Sequence, residues 1–445
     1  MSRLQKTFQA WRQDRLLGMV IRNSGHLFSG NTIGTALSLV QSIFAAKLLG
    51  VENVGVLGVV TVFASTVNRL FSFRMGELVV KYMDQYRAEG RPDRAAAVVK
   101  VAALTESITS LLAFVVLVLL APLAAQIIAH DPQTAPFFLL YGLIIPGNLA
   151  TETATGVLQV ARRFRAQAFI NIGQSVLTAV IIVSAWLLHG NMLVVVLAYT
   201  LGKLILGIGP MVLAWDSLGK IYGAGWWRAS FRLLPPRKEL ASFAVSTNLS
   251  ATLNMIVRDS ELLWVGFFLT TRDVGYYKIA LAIINLVVAP INPLISATYP
   301  ELSRSVAEKS WAQLRRLLRR VSLLAAGWSV GVSLVLLVFG NWVILLYGAE
   351  YLPAYPALMV LLAGYGVANI LFWNRSLLLV LQRPTFPFQV MLWIGLAKVL
   401  LAFVLVPRFG YIAEAALLSA YLAISVAIIV WQGLRQTAIL EGTTS

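Results

Sequence analysis

The sequence of 445 residues contains no cysteine, and only 12% of its residues are charged. The absence of cysteine excludes disulfide bonds, thiolate metal sites and cysteine nucleophiles. The three histidines, His26, His130 and His189, lie far apart in the chain and form no metal-ligand motif. A soluble protein of this length would carry roughly twice this charged fraction. We therefore expect no metal and no organic cofactor, and the low charge points to a membrane protein.

Long apolar segments are what the sequence has in abundance, with 58% of its residues hydrophobic. Segments of about 20 apolar residues, the length that crosses ~30 Å of hydrocarbon, recur from end to end. They predict an all-α polytopic membrane protein with about twelve transmembrane helices, several of them long enough to tilt. The predicted spans are 25–49, 53–80, 98–128, 136–160, 166–188, 191–216, 240–269, 273–302, 317–347, 354–381, 386–407 and 411–434.

The net charge of +17 is distributed unevenly between the two sides of these spans. Connections on one side, with both ends of the chain, hold 26 lysines and arginines, whereas those on the other side hold three, Lys47, Arg272 and Arg408. Cytoplasmic connections carry the excess of positive charge, so both termini are predicted to be cytoplasmic. The charge therefore sets topology and contacts anionic lipid, and we expect no nucleic-acid partner.

Five regions follow from this map. The basic segment Met1–Arg22 lacks the pattern of a cleavable signal peptide, so we expect it to lie along the membrane surface. The regions are an amphipathic arm (1–24), a first six-helix bundle (25–216), a cytoplasmic linker (217–239), a second six-helix bundle (240–436) and a cytoplasmic tail (437–445).

A weak internal repeat relates the two bundles. The segment 48–55 lies 220 residues before the segment 268–275, and each joins the first two spans of its bundle. At the same offset, Gln41 corresponds to Glu261. Six spans per bundle give both bundles the same orientation, so we expect a pseudo-twofold axis along the membrane normal. In transporters built this way the substrate path lies between the halves.

Polar side chains recur on single faces of two predicted helices. Thr247, Ser250, Asn254, Arg258 and Glu261 recur at steps of three or four, and Lys278, Asn285 and Asn292 at steps of seven. A central Arg or Lys facing lipid costs ~3 kcal/mol or more. These faces therefore point to other helices or to water, and we interpret them as part of the wall of a positively charged internal cavity.

Short motifs occur in a fixed order from about residue 24 to residue 430. They are LLGVENVG (48–55), Asp259, VGYY (274–277), YPELS (299–303), LYGAEY (346–351) and VPRFGY (406–411). Together they resemble the polysaccharide-biosynthesis flippases of the multidrug/oligosaccharidyl-lipid/polysaccharide flippase superfamily. The resemblance implies a V-shaped pair of bundles, alternating access and a prokaryotic inner-membrane location. It is closest to O-antigen-type translocases, and implies outward flipping of undecaprenyl-diphosphate-linked oligosaccharide by a monomer that works beside glycosyltransferases and a polymerase.

Such cargo requires cations for the diphosphate and polar groups for the sugars. The candidate cavity cations are Arg258, Lys278, Arg69, Arg74 and Arg375, and the candidate polar groups are Asn254, Asn285, Asn68 and Gln41. The carboxylates that could bind a coupling proton or sodium ion are Glu106, Glu152, Asp259 and Glu261. Lys203 and Lys398 lie near mid-span and require water or a partner, which the sequence does not identify.

Structural roles are the alternative for each candidate. Arg258 could pair with Glu261, Lys278 could extend to the membrane surface, and Arg69, Arg74 and Arg375 could form ion pairs. Hydrogen bonds between helices would account for the amides, and proline kinks are expected at Pro146, Pro290 and Pro293.

Two other functions fit parts of the sequence. A multidrug/cation antiporter of the same superfamily would favour acidic groups in the cavity, whereas here cations outnumber acids in the spans. A membrane-embedded glycan polymerase or glycosyltransferase usually has a long extramembrane loop, and the longest connection here is the linker of 217–239. No phosphate-binding Gly-Lys-Ser/Thr loop is present. We therefore expect a transporter and not an enzyme.

Overall fold

The computed structural model describes residues 15–72, 75–223, 225–234, 252 and 255–442, with the backbone path alone for 15–33 and 296. Its first half consists of α1 (Arg15–Phe71), α2 (Met75–Ala88), α3 (Pro92–Ile127), α4 (Ala135–Gly142), α5 (Ile144–Gly147), α6 (Thr151–Val160), α7 (Phe164–Leu187) and α8 (Met192–Tyr222). Its second half consists of a π-helical turn (Met255–Asp259), α9 (Glu261–Phe268), α10 (Thr271–Val288), α11 (Asn292–Ala307), α12 (Trp311–Leu345), α13 (Ala354–Ile370), α14 (Asn374–Val380), α15 (Thr385–Phe409) and α16 (Tyr411–Gly442).

The described part contains ten helices long and apolar enough to cross a membrane. Helix α1 carries the predicted span 25–49 and, across a kink at Gly50, the part of the predicted span 53–80 up to Phe71; from Met75 onward that span lies in α2. Gly50 has φ of 72°, a left-handed conformation that glycine adopts without a steric penalty. The predicted span 240–269 is described mainly from Met255 onward. The prediction of an all-α polytopic membrane protein is confirmed.

Several spans are broken within the membrane-spanning length. The predicted kink at Pro146 is confirmed, because the span 136–160 is divided into α4, α5 and α6. The kink at Pro290 is also confirmed, as a 3₁₀ turn at Ala289–Ile291 separates α10 from α11. A further break, between α13 and α14, contains no proline and was not predicted.

The two ends of the bundle differ in charge. We call the end with the turns at Gly50 and Thr270 the turn end, and the opposite end, with the lysine- and arginine-rich connections, the basic end. At the turn end Thr270 and Asp273 form a capping box, in which each side chain accepts a hydrogen bond from the other's backbone N–H. This cap starts α10, and its counterpart in the first half is the Gly50 kink.

The halves pack against each other at the turn end through reciprocal glycine contacts. An ideal Cβ on Gly55 would lie 1.7 Å from the carbonyl oxygen of Thr271, and one on Gly275 would lie 2.3 Å from that of Val51. Gly275 follows Gly55 by 220 residues, as Thr271 follows Val51. Gly55 thus contacts Thr271, while their counterparts Gly275 and Val51 contact each other. This is the contact pattern of a twofold axis.

We call this contact, of residues 51–58 with residues 271–278, the turn-end seam. In membranes, where lipid is as apolar as a side chain, such close backbone approach at small residues drives helix association. Three further hydrogen bonds cross between the halves near it. The Nε2–H of His130 donates to the carbonyl oxygens of Gly266 and Leu269, and the hydroxyl of Tyr351 donates to that of Ala46. The halves are therefore closed together at the turn end.

Candidate substrate path between the two halves

The π-helical turn Met255–Asp259 positions two charged candidates. A π turn adds a residue to the helical ring and so changes the direction of the side chains that follow. It ends where the N–H of Ser260 donates to the carbonyl of Met255, at 3.0 Å. Arg258 and Asp259 are thereby placed next to each other, just before α9 begins. Such turns occur frequently at functional sites.

Asp259 connects the two halves. Its Oδ2 accepts from Nη1 of Arg69, on α1, at 2.5 Å. The side chains are 41% and 60% exposed respectively, so this ion pair lies in an accessible space although both residues belong to predicted spans. A pair this exposed contributes about 0–1 kcal/mol to stability. It therefore orients the two groups more than it holds the halves together.

Three more cations accompany this pair. The guanidinium of Arg258 lies over the ring of Tyr365, 5.5 Å from its centroid. Arg375, on α14, is within electrostatic reach of Arg258, and Lys203, on α8, is within reach of Arg69. The side chains of Lys203 and Arg375 are exposed.

We call Arg69, Lys203, Arg258 and Arg375 the four-cation cluster. Its members come from both halves, and the Arg69–Asp259 ion pair joins the halves there, so the cluster borders the space between them. With Asp259 the cluster carries four positive charges and one negative charge. Cations concentrated in a cleft of low dielectric attract and retain anions.

A second charged group is sealed inside the second half. The ammonium of Lys398, on α15, contacts Glu261 and lies 2.9 Å from the Oε1 of Glu414. It also donates to the carbonyl of Val257 at 2.9 Å, within the π-helical turn, and the hydroxyl of Tyr277 donates to Glu261 at 2.7 Å. The side chains of Lys398, Glu261 and Glu414 are at most 3% exposed. We call these three residues the buried triad.

The buried triad changes the interpretation of two residues. The alternative in which Glu261 pairs with Arg258 is wrong, because Glu261 binds Lys398 and Tyr277. Lys398, whose partner could not be identified from the sequence, contacts two carboxylates. A lysine at mid-span requires water or a partner, and this was the signal that Lys398 has one. It could not choose among the acids of the second half.

Glu106 and Glu152 lie at the broken span of the first half. The carboxylate of Glu106 is buried and accepts hydrogen bonds from the backbone N–H groups of Glu152 and Thr153, at 2.8 and 2.9 Å. It thereby caps the first turn of α6, where an anion also meets the positive end of the helix dipole. The side chain of Glu152 is exposed. Ion coupling at either residue stays a prediction.

The remaining candidates have different surroundings. Gln41 is buried and donates to the carbonyl of Ser175 at 2.8 Å, a contact between helices of one half. Asn285 is exposed and Asn68, beside Arg69, is partly buried. Lys278 extends into the turn-end seam and donates to the carbonyl of Val54 at 3.4 Å. Arg74 and Asn254, with Thr247 and Ser250, lie outside the described residues.

Two polar cavities lie at the basic end. One, of about 620 Å³, is lined by Arg87, Arg162, Arg163 and Lys220, and Asp216 bonds both Arg163 and Lys220 at 2.8 Å. The other, of about 750 Å³, is lined by Lys309, Arg316 and Arg320 beside Trp311. Both linings combine cations with carboxylates, Asp84 in the first and Glu301 and Glu441 in the second.

Residues 20–306 match the family described as polysaccharide biosynthesis protein. The inner membrane protein YghQ of Escherichia coli (strain K12) is 26% identical to the chain over 350 residues, which are 78% of this chain and 97% of YghQ. Lipid II flippase MurJ, in an inward closed conformation, superposes with a TM-score of 0.71 at 13% identity, over 93% of this chain and 90% of MurJ.

A multidrug resistance MATE family transporter of the MOP superfamily, in an inward-facing conformation, superposes with a TM-score of 0.70 at 14% identity, over 93% of this chain and 96% of that one. These structures share the fold alone at such identities. Their twelve-helix, two-bundle architecture confirms the fold predicted from the sequence.

Proposed function

The chain belongs to the polysaccharide biosynthesis protein family, and we propose that it moves an undecaprenyl-diphosphate-linked oligosaccharide from the cytoplasmic to the outer leaflet by alternating access. It acts as a transporter and not as an enzyme. The cargo is an O-antigen or exopolysaccharide repeat unit, supplied by glycosyltransferases and passed to a polymerase. The protein works as a monomer in the bacterial inner membrane, with both termini in the cytoplasm.

The four-cation cluster is the observation that carries this proposal. A diphosphate carries at least two negative charges, and guanidinium groups bind phosphate through paired hydrogen bonds. Arg258 and Arg375 supply such groups from the second half, while Arg69 and Lys203 supply cations from the first. A headgroup between them would contact both halves, which is what a substrate that controls their separation must do.

The closed turn-end seam supports a direction for the cycle. With the basic end assigned to the cytoplasm by its positive charge, the present conformation is closed toward the outside. The cluster would then receive cargo from the cytoplasmic leaflet. Release requires that the seam open and the basic end close, while the polyprenyl chain remains in lipid.

We propose that a proton at the buried triad drives this cycle. Two ionised carboxylates and one ammonium would leave an uncompensated negative charge on side chains that are at most 3% exposed, which is costly. One bound proton removes that charge. Glu261 accepts from Tyr277 and Lys398, and Glu414 contacts the same ammonium, so the two carboxylates share the proposed proton.

Sodium is the less favoured coupling ion here. The ammonium of Lys398 already lies between the two carboxylates at which a metal cation would bind. The triad also bonds the carbonyl of Val257, within the π-helical turn that carries Arg258. Protonation could therefore change the position of a cavity cation directly.

Binding of a diphosphate lipid tests the proposal. We expect Arg258→Gln, in lipid nanodiscs, to weaken binding of undecaprenyl diphosphate, because a charge-assisted hydrogen bond contributes about 1.5–3 kcal/mol, or roughly ten- to a hundredfold in affinity. Arg408→Gln is the matched control, since Arg408 is exposed at the turn end. Equal affinity of the Arg258 variant and the control would exclude the cluster as the diphosphate site.

Cationic-drug export is the rival function. The fold shared with a MATE family transporter makes it a serious alternative, but the net positive charge of the cluster opposes a cationic drug. Cells that express the chain should gain no resistance to cationic dyes. Resistance that depends on Asp259 would favour the rival.

A further inference from the structure

Lys278 occupies an unusual position in the turn-end seam. Its side chain leaves α10 and passes Gly58 of α1, where an ideal Cβ would lie 3.0 Å from the Cδ of the lysine. Its ammonium then approaches the carbonyl of Val54, one turn nearer the turn end, at 3.4 Å. The ammonium does not belong to the four-cation cluster. It lies between the two halves.

The internal repeat explains why there is room for it. Gly58 precedes Lys278 by 220 residues, the same offset that relates Gly55 to Gly275. Counterparts meet near a twofold axis, so a symmetric pair of lysines would bring two ammonium groups together. The chain has one lysine and one glycine there. The seam is symmetric in its glycine contacts and asymmetric in its charge.

The ammonium has little compensation while the seam is closed. Within the described residues no carboxylate lies within 4 Å of Nζ, and its recorded hydrogen bond is one long contact with a carbonyl. Removing a charged group from water without a close partner is unfavourable. Opening the seam would hydrate Lys278 and would leave it facing the gap.

Lys278 contacts α1 at Gly58, and Arg69 of the four-cation cluster lies farther along the same helix. Gly58 and Arg69 are eleven residues apart on this helix, or about 16 Å at 1.5 Å per residue. An anion that moves from the cluster toward the turn end would therefore approach Lys278 once the halves separate there.

We propose that Lys278 is a second anion site on the transport path, covered by the closed turn-end seam and exposed when the seam opens, where it binds the phosphate group that leaves the four-cation cluster. The inference rests on the proposed function for the nature of the cargo. It adds that the cations act in succession: the four-cation cluster is accessible in one conformation and Lys278 in the other.

The absence of cysteine from the chain makes exposure of this site directly measurable. Lys278→Cys, in spheroplasts, is treated with a membrane-impermeant maleimide. We expect slow labelling, and labelling about tenfold faster when Gly55→Leu prevents the seam from closing, a change equivalent to about 1.4 kcal/mol. Gly275→Leu is the second variant, and Gly331→Leu, where a Cβ meets nothing within 4 Å, is the control.

The labelling rate of Lys278→Cys also tests the proposal without any glycine variant. Lys47→Cys, at an exposed position of the same end, gives the rate of an open site. Lys278→Cys labelled as fast as Lys47→Cys in the wild-type background would overturn the proposal, because the site would already be open. Equal labelling with and without Gly55→Leu and Gly275→Leu would also overturn it.

Anion binding is measured with farnesyl diphosphate in nanodiscs. We expect Lys278→Met to weaken binding about tenfold in the Gly55→Leu background and much less in the wild-type background. Lys47→Met is the control for loss of a lysine at this end. The same loss in both backgrounds, or none in Gly55→Leu, would contradict a site that depends on the seam. If Arg258→Gln has no effect in the wild-type background, the proposed function fails instead, whatever Lys278 does.

Discussion

The ammonium of Lys398 lies 2.9 Å from the carboxylate of Glu414, and the two side chains are 3% and 0% exposed. They come from adjacent helices, α15 and α16, and share their site with Glu261 of α9. A single lysine therefore ties three helices together and also bonds the carbonyl of Val257. Stability and the conformation of the π-helical turn should both depend on this residue.

Replacing Lys398 by methionine keeps the length of the side chain and removes the charge. The two carboxylates would then be buried together without a cation, so we expect a loss of about 3–5 kcal/mol in the free energy of unfolding. Denaturant unfolding in detergent, followed by tryptophan fluorescence, measures it. Lys47→Met, at an exposed site, should change it little. Unaltered stability of Lys398→Met would mean that the triad does not hold these helices together.

Glu414→Gln leaves one buried carboxylate for one ammonium and breaks up the pair of carboxylates that shares the proposed proton. We expect this variant to fold with near-normal stability and to flip its cargo down a concentration gradient. It should not respond to a pH gradient, because the site no longer gains or loses a proton. The measurement is flipping of a fluorescent polyprenyl-diphosphate oligosaccharide in liposomes, with and without an imposed pH gradient. A variant that still responds as the wild type does would place proton coupling elsewhere.

Asp259 separates the two candidate functions by the sign of its effect. Asp259→Asn removes the carboxylate that neutralises Arg69 and raises the net charge of the cluster. For an anionic headgroup, we expect affinity to rise by roughly threefold or more, as one repulsive charge near the ligand is removed. Titration calorimetry with farnesyl diphosphate measures this. Weaker binding of the diphosphate by Asp259→Asn, together with weaker binding of cationic dyes by the same variant, would favour the antiporter.

Glu106→Leu tests whether that carboxylate is a cap or a coupling group. Two N–H groups at the start of α6 would lose their acceptor, at a cost of about 1–3 kcal/mol for the buried one, that of Thr153, and less for that of Glu152. Glu106→Gln keeps one acceptor oxygen, so its unfolding should be affected less, and its flipping should keep its response to a pH gradient. Loss of that response in a stable Glu106→Gln protein would instead make Glu106 a coupling residue.

Residue chemistry along the chain was sufficient to predict the fold. The length of each apolar segment and the basic connections located the helices, and Pro146 located a break. The break between α13 and α14 and the π-helical turn escaped prediction, because neither contains a proline or a glycine that would signal it. Their positions depend on packing between helices, which local sequence does not record.

The candidate site was less predictable than the fold. A polar face tells which side of a helix avoids lipid, so Arg258 could be singled out from spacing alone. It does not tell which distant residue meets that face. Glu261 and Lys398 are 137 residues apart in the chain. Lys203 belongs to the cluster although it lies in the first half, whereas Arg258 lies in the second. Lys278 shares the spacing of a cavity residue but lies in the seam, since Gly58 leaves space for it there.

The most direct measurement is to locate the cargo's headgroup on the protein. A diphosphate lipid with a photoreactive group beside its phosphates is cross-linked to the protein in nanodiscs, and the modified peptides are identified by mass spectrometry. We predict adducts within 255–259 and 374–380 that disappear with excess undecaprenyl diphosphate. Adducts confined to the lipid-facing surface of α12, or adducts that excess diphosphate lipid does not displace, would contradict it.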